Sequence, residues 1–376
     1  MSAFRTAIIP ACSALLLAVL GASCAASKSE FPGFLYILAD GNIVEISKDG
    51  ATVVRTGVKT AAISPDGGLL LVADAASTLL VKSTTGEAKT IAHRPARRLG
   101  WNDDGSRFFL VSDPETNQLE TGDRLGNLKV LYRGPHRPAA AEGAEPSTLF
   151  GEISGCLFID AKTLLFSAYE GVISPSRADQ DLTANKAFMI DLAAPDAELR
   201  TVKFPLEERW SFLDVDPQTG GLLAVVEKKL TGQLQAFLCP PFPEWEDLSF
   251  ATPVPGTIFR SANGAFSAAF EPSAGQPCAL TVVTDAKNRS RAVFAVYDPD
   301  TQEVRGGPEA GWGDNIVGPA LHPDGGYAAA LVYVFGKEWR VVLLDLASGK
   351  SRTAWTRPDR KEGAANPNDA VLIWMR

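Results

Sequence analysis

Histidine is scarce in this chain. Its three copies, His93, His136 and His322, lie far apart and form no His-x-x-x-His arrangement, so no linear metal-ligand signature exists. No Gly-x-Ser-x-Gly elbow occurs; in Gly151-Glu152-Ile153-Ser154-Gly155 the serine comes one position late, at the start of an expected strand, where a structural role fits best. Gly349-Lys350-Ser351 looks like the tail of a phosphate loop, but the glycine required upstream is Leu344. Five cysteines are present, and three of them, Cys156, Cys239 and Cys278, lie in the body of the chain with no Cys-x-x-Cys or Cys/His neighbour. An odd number leaves at least one unpaired, and small buried hydrophobes are their expected use. Basic residues are not in excess: the net charge is −8 and the pI near 5.1, and an acidic surface repels phosphate backbones, which argues against nucleic acid as a partner. No metal and no cofactor is expected.

No apolar run at the N-terminus is long enough to span a bilayer as a helix. The stretch Ala7–Leu20 is 14 residues, broken by Pro10 and Ser13, and Arg5 precedes it. That order reads as a secretory leader. The segment Leu20-Gly21-Ala22-Ser23-Cys24 resembles the lipobox of bacterial lipoproteins, which implies lipidation of Cys24 and an anchor in the bacterial cell envelope. Ala25 after that cysteine resembles outer-membrane sorting. Ordinary cleavage after Ala25 or Ala26 is the alternative. The division expected is a leader over 1–24, a short tether over 25–33 and a single domain over 34–376.

What the chain has in abundance is turn punctuation. Its 33 glycines and 25 prolines are scattered along the whole length. They separate short apolar runs in a repeating order. Ala61–His93 runs through Ser64-Pro65-Asp66-Gly67, Leu69–Val72, Leu79–Val81 and Thr85-Gly86. Arg98–Tyr132 repeats this with Asn102-Asp103-Asp104-Gly105, and Pro319–Trp355 with His322-Pro323-Asp324-Gly325. Each unit offers four short strands. Weaker copies cover Ile153–Phe204, Trp210–Phe259 and Phe266–Val304. A four-stranded sheet with two apolar faces cannot bury both alone, whereas like sheets stacked around an axis can. The expected fold is therefore an all-β β-propeller of four-stranded blades. Phe34–Thr56 supplies only three strands, and Val371–Met375 at the C-terminus is the natural fourth, closing the ring. Six internal units and one composite unit make seven blades, with six or eight as alternatives because the fourth and fifth units are stretched.

The Ser-Pro-Asp-Gly and His-Pro-Asp-Gly turns resemble those of TolB-like propeller repeats of bacterial periplasmic proteins, which implies a scaffold that presents loops to partners. Other features have simpler readings. His322 takes the turn position of Ser64, so a turn role is expected. Asp113-Pro114-Glu115-Thr116 and Asp298-Pro299-Asp300-Thr301 are oxygen-rich but read as Asp/Pro β-turns rather than calcium loops. Most tryptophans fall in strands, where they fill the space between blades.

In such a ring, blade-to-blade connections and second-to-third-strand connections open on one face. Four long connections fall in those classes: 134–150, 171–186, 306–315 and 357–369. They would gather Arg137, Arg177, Asp179, Trp312, Lys337, Trp339 and Arg360 as a partner-binding set, with Trp312 as the anchor. The function expected is a monomeric, non-catalytic envelope lipoprotein that binds an envelope protein or glycan. The alternative is a propeller hydrolase or lyase with an axial site; clustered His, Arg, Tyr and carboxylates near the axis would favour it.

Overall fold

The structure, a computed structural model, describes residues 31–374 apart from 114–115, 135–147, 174–179, 195–198, 217, 229, 246–247, 261–267, 271–275, 285–289, 299 and 359–369. The expected leader, Cys24 and most of the expected tether thus lie outside the described residues. Gly33 onward forms a β-propeller of seven antiparallel four-stranded blades. In six blades the strands follow chain order from the axis outward. The innermost strands of blades 2 to 7 are Thr60–Ile63, Ala96–Trp101, Thr148–Phe158, Glu208–Val215, Ala268–Phe270 and Asn315–Leu321, and each lies beside the next.

Blade 1 is the composite. Leu35–Ala39, Asn42–Ser47 and Gly50–Thr56 are its outer three strands, and Val371–Trp374 is its innermost. The closing strand pairs antiparallel with Leu35–Leu38, from Leu35 opposite Trp374 to Leu38 opposite Val371. The Trp374 indole donates to the Ala320 carbonyl of blade 7 at 2.9 Å.

The strands read as unbroken apolar runs because both faces of each blade are buried, against different neighbours. Leu70 and Val72 pack toward blade 1 with Tyr36 and Leu38, while Leu71 and Ala73 pack toward blade 3 with Phe108 and Leu110. Phe109 and Val111 turn the other way, onto Ile153, Phe166 and Phe188 of blade 4. The period-two alternation of a strand thereby becomes alternation between the two neighbouring blades.

The repeated turns share one hydrogen-bond pattern between first and second strands. The Ser64 amide donates to the Leu69 carbonyl and the Gly67 amide to the Ser64 carbonyl; Asn102 with Arg107 and Gly105, and His322 with Tyr327 and Gly325, reproduce this. Glycine closes each turn at positive φ: 68° at Gly67, 66° at Gly105 and 73° at Gly325. His322 is therefore a turn residue, its Nδ1 accepting from the Asp324 amide at 3.2 Å. Asp113 and Asp298 likewise accept from backbone amides within their own turns.

Two expected connections proved shorter than the sequence implied. The second and third strands of blade 4, Thr163–Ile173 and Gln180–Asp191, stay paired out to Ile173 opposite Gln180. Most of 171–186 is thus an extended hairpin. The outer strand of blade 6 runs over Glu303–Trp312, absorbing Gly306 to Trp312 into the sheet. An outermost strand tolerates the Pro308 and the register shifts that glycine permits, because it has a free edge.

Candidate functional site

Strand direction gives the ring two unlike faces. First-to-second and third-to-fourth turns open on one, called here the turn face. Blade-to-blade and second-to-third connections open on the other, the loop face. The flanking strand ends place all four long connections on the loop face. Of the expected partner-binding set, Arg137, Arg177, Asp179 and Arg360 lie outside the described residues.

The other three separate sharply. Trp312 ends the outer strand of blade 6 and is 45% exposed. Lys337 is exposed in the turn 335–337 between the second and third strands of blade 7. Trp339 is not on the surface: it is 1% exposed, because the third strand of blade 7 begins at Glu338 and carries it into the sheet. There it packs on Tyr333 with ring centroids 4.5 Å apart, under the Arg357 guanidinium. The composition around Trp339 resembles a loop, but its cross-strand partner makes it core. Two loop-face anchors absent from the expected set are Phe335, 75% exposed beside Lys337, and Leu230, 87% exposed in blade 5. Trp312, Phe335 and Leu230 are thus each exposed along the loop-face rim, at strand ends or turns of blades 6, 7 and 5.

Blades 3 to 5 carry a different surface at the loop-face ends of their inner strands. Arg97 of blade 3 reaches across to the Glu152 carboxylate and the Ile153 carbonyl of blade 4. The Tyr169 hydroxyl donates to the other oxygen of Glu152. The Arg209 guanidinium of blade 5 lies over the Tyr169 ring, 4.7 Å from its centroid. Farther out, Arg94 pairs with Glu120, and the Tyr132 hydroxyl donates to Glu170 at 3.4 Å. Burial, and then the Glu170 charge, push the Tyr132 phenol up to about 12. Each glutamate of this lattice is held by an arginine or a tyrosine.

Just inside it, blades 4 and 5 are stapled by serines. The Ser154 and Ser167 hydroxyls both donate to the Trp210 carbonyl, at 2.9 and 2.5 Å, and Ser211 donates back to the Ser154 carbonyl at 3.1 Å. Ser154 is buried and spoken for, so its role is structural. Two histidines stand on opposite faces, His93 exposed on the loop face and His322 on the turn face; His136 is outside the described residues. Cys156, Cys239 and Cys278 form no disulfide with one another. Burial pushes Cys239 up to about 12 and raises Cys156 strongly, which keeps both protonated and poorly nucleophilic at neutral pH. Among the described residues no group of three His, Cys, Asp or Glu side chains is placed to hold a metal ion.

No family model matches the chain, and no curated protein matches its sequence. Solved structures do match. The tricorn protease aligns with a TM-score of 0.55 at 10% identity, covering 88% of this chain and 35% of that one. A structure from a study of two prolyl endopeptidases aligns at 0.51 and 14% identity, covering 90% and 51%. The β-propeller domain of the Trilobed protease from Pyrococcus furiosus aligns at 0.50 and 12% identity, covering 87% and 98%. At such identities the likeness is one of the β-propeller fold alone.

Proposed function

We propose that this chain is a non-catalytic, lipid-anchored envelope scaffold that binds a protein or glycan partner through its loop face. The observation that carries the reading is the exposure of Trp312, Phe335 and Leu230 along the loop-face rim of blades 5 to 7, on a face whose blades 3 to 5 carry paired charges. Aromatic side chains exposed on a rigid face bury large areas on contact at low conformational cost. The lattice stiffens that face, and each of its own glutamates is held by an arginine or a tyrosine.

The second reading, a propeller hydrolase or lyase, draws on the same lattice. Arginine, tyrosine and glutamate do cluster on inner strands, which is the pattern an axial active site would use. Acid–base chemistry needs a group free to exchange a proton, and here each glutamate is already bound.

Capture from envelope extract distinguishes the two. Trp312→Ala should weaken partner capture by more than ~1 kcal/mol, several-fold in affinity, with an unchanged melting temperature. Trp339→Ala serves as the core control and should lose about 3–5 kcal/mol of stability. Undiminished capture by Trp312→Ala removes the docking face. The anchor is tested on the same fractions: Cys24→Ala should abolish lipid labelling and membrane retention, and an unlabelled wild type refutes it.

A further inference from the structure

The arginine lattice leaves one member over. Arg98 is the third residue of the innermost strand of blade 3, Ala96–Trp101, next to Arg97. It makes no hydrogen bond or ion pair among the described residues, whereas Arg97 is held by Glu152 and Ile153. The strand pairing explains why both side chains come to the same place. The register slips between Ala96 and Arg98, so that Ala96 faces Ser112 and Arg98 faces Val111. Arg97 is the extra residue of a β-bulge, and a bulge re-aims the side chains beside it. The neighbouring inner strand of blade 4 has its own slip between Ile153 and Gly155, two residues before Cys156.

Arg98 keeps substantial surface open to solvent although its strand is flanked on both sides by inner strands. A side chain so placed reaches water at the axial channel that the ring of inner strands encloses. Crowding by protein and then the Arg97 charge lower its pKa, and the neighbouring Cys156 and Glu152 only partly offset this. Three guanidinium groups, Arg97, Arg98 and Arg209, thus stand on the inner strands of blades 3 and 5; of the inner-strand glutamates beside them, Glu152 is held by Arg97 and Tyr169, and Glu208 accepts from the Trp210 indole of its own strand. Glu170, on the second strand of blade 4, is bound by Tyr132. Of the three guanidinium groups, Arg98 alone has no hydrogen bond, ion pair or ring contact among the described residues, so its charge is the one available to a ligand.

We propose that the loop-face mouth of the axial channel, where Arg98 and Arg97 emerge from the bulge in blade 3 beside Cys156 of blade 4, binds a small oxyanion, a carboxylate or a phosphate group. Arginine suits this ligand because its planar fork matches both oxyanions with two parallel hydrogen bonds. Arg98 supplies the free fork. Arg97 and Arg209, held in place by Glu152 and Tyr169, supply fixed positive potential.

The site is independent of docking on the rim, and the test keeps them apart. The purified protein is titrated calorimetrically with inorganic phosphate and, separately, with acetate, at constant ionic strength set by chloride. Saturable binding of either anion, weakened at least tenfold in Arg98→Gln, partly retained in Arg98→Lys and unchanged in Trp312→Ala, is the expected result. The stronger of the two arms names the ligand class. No saturable binding of either anion, equal behaviour in chloride alone, or wild-type affinity in Arg98→Gln overturns the site. Arg98 holds no structural partner, so both substitutions should fold; the melting temperature of Arg98→Lys checks this.

Discussion

Gly155 shows how closely neighbouring blades meet. A Cβ at this position would come within 3.0 Å of the Phe212 amide nitrogen and 3.1 Å of the Ser211 Cα, both backbone atoms of blade 5. Backbone cannot swing aside as a side-chain tip can, so Gly155→Ala should force blades 4 and 5 apart. The expected cost is about 1–3 kcal/mol, as for overpacking a filled core. Denaturant unfolding should show a lower midpoint at an unchanged slope. An unchanged midpoint would mean that this contact relaxes freely. The serine staple beside it depends on the same approach, since Ser154 and Ser167 reach the Trp210 carbonyl only at this spacing.

Among the elements, the turns are where pH acts. Hydrogen bonds from Ser64 and the Gly68 amide, with help from Arg124, bring the Asp66 carboxyl down to about 2. Asp104, Asp123, Asp298 and Asp345 are also lowered, by neighbouring hydroxyls and amides that favour the ionised form. A carboxylate with a folded pKa below its unfolded one contributes stability above the unfolded value. That contribution is lost as pH falls through the folded pKa. The melting temperature should therefore hold steady down to about pH 4 and fall between about pH 4 and about pH 2. These carboxylates are solvent-exposed, so each contributes modestly and the effect is their sum. In Asp66→Asn the acid-dependent drop should shrink; an unchanged drop would assign it to other groups.

For the whole molecule, closure is the vulnerable feature. The ring has one seam that joins distant parts of the sequence within a sheet, where Val371–Trp374 lies against Leu35–Leu38. Removing the chain after Asn368 uncovers the edge of blade 1, where Leu35 and Ile37 are fully buried. It also deletes Trp374 and its contacts with Ala320 and the His322 ring, the latter at a centroid distance of 5.0 Å. Each newly exposed large side chain costs about 1.5–3 kcal/mol, so a few of them rival the ~5–15 kcal/mol stability of an ordinary domain. The truncated protein should aggregate or fall to limited proteolysis at concentrations the full chain survives. A monodisperse truncation with the same melting temperature would show that the seam is dispensable.

Fold was legible in the sequence because it rests on local chemistry. Asp-Gly turns need positive φ, unbroken apolar runs need two buried faces, and a three-stranded first unit needs a fourth strand from elsewhere. All three are written in consecutive residues, and together they imply seven blades and the closing strand. The site was legible only in part, because side-chain exposure depends on register between strands that the sequence does not show. Trp339 and Trp312 both follow glycine closely in sequence, at Gly336 and Gly311, yet pairing opposite Tyr333 buries the first while the last position of an edge strand exposes the second. Glycines at 306, 307 and 311 with Pro308 read as a loop, and only the tolerance of a free edge makes them strand. Arg97 and Arg98 are adjacent, and strict alternation would send them to opposite sides; the bulge against Ser112 and Val111 brings them together. The tertiary structure alone decided those placements, because a one-residue slip in register changes which side of a strand each later side chain occupies.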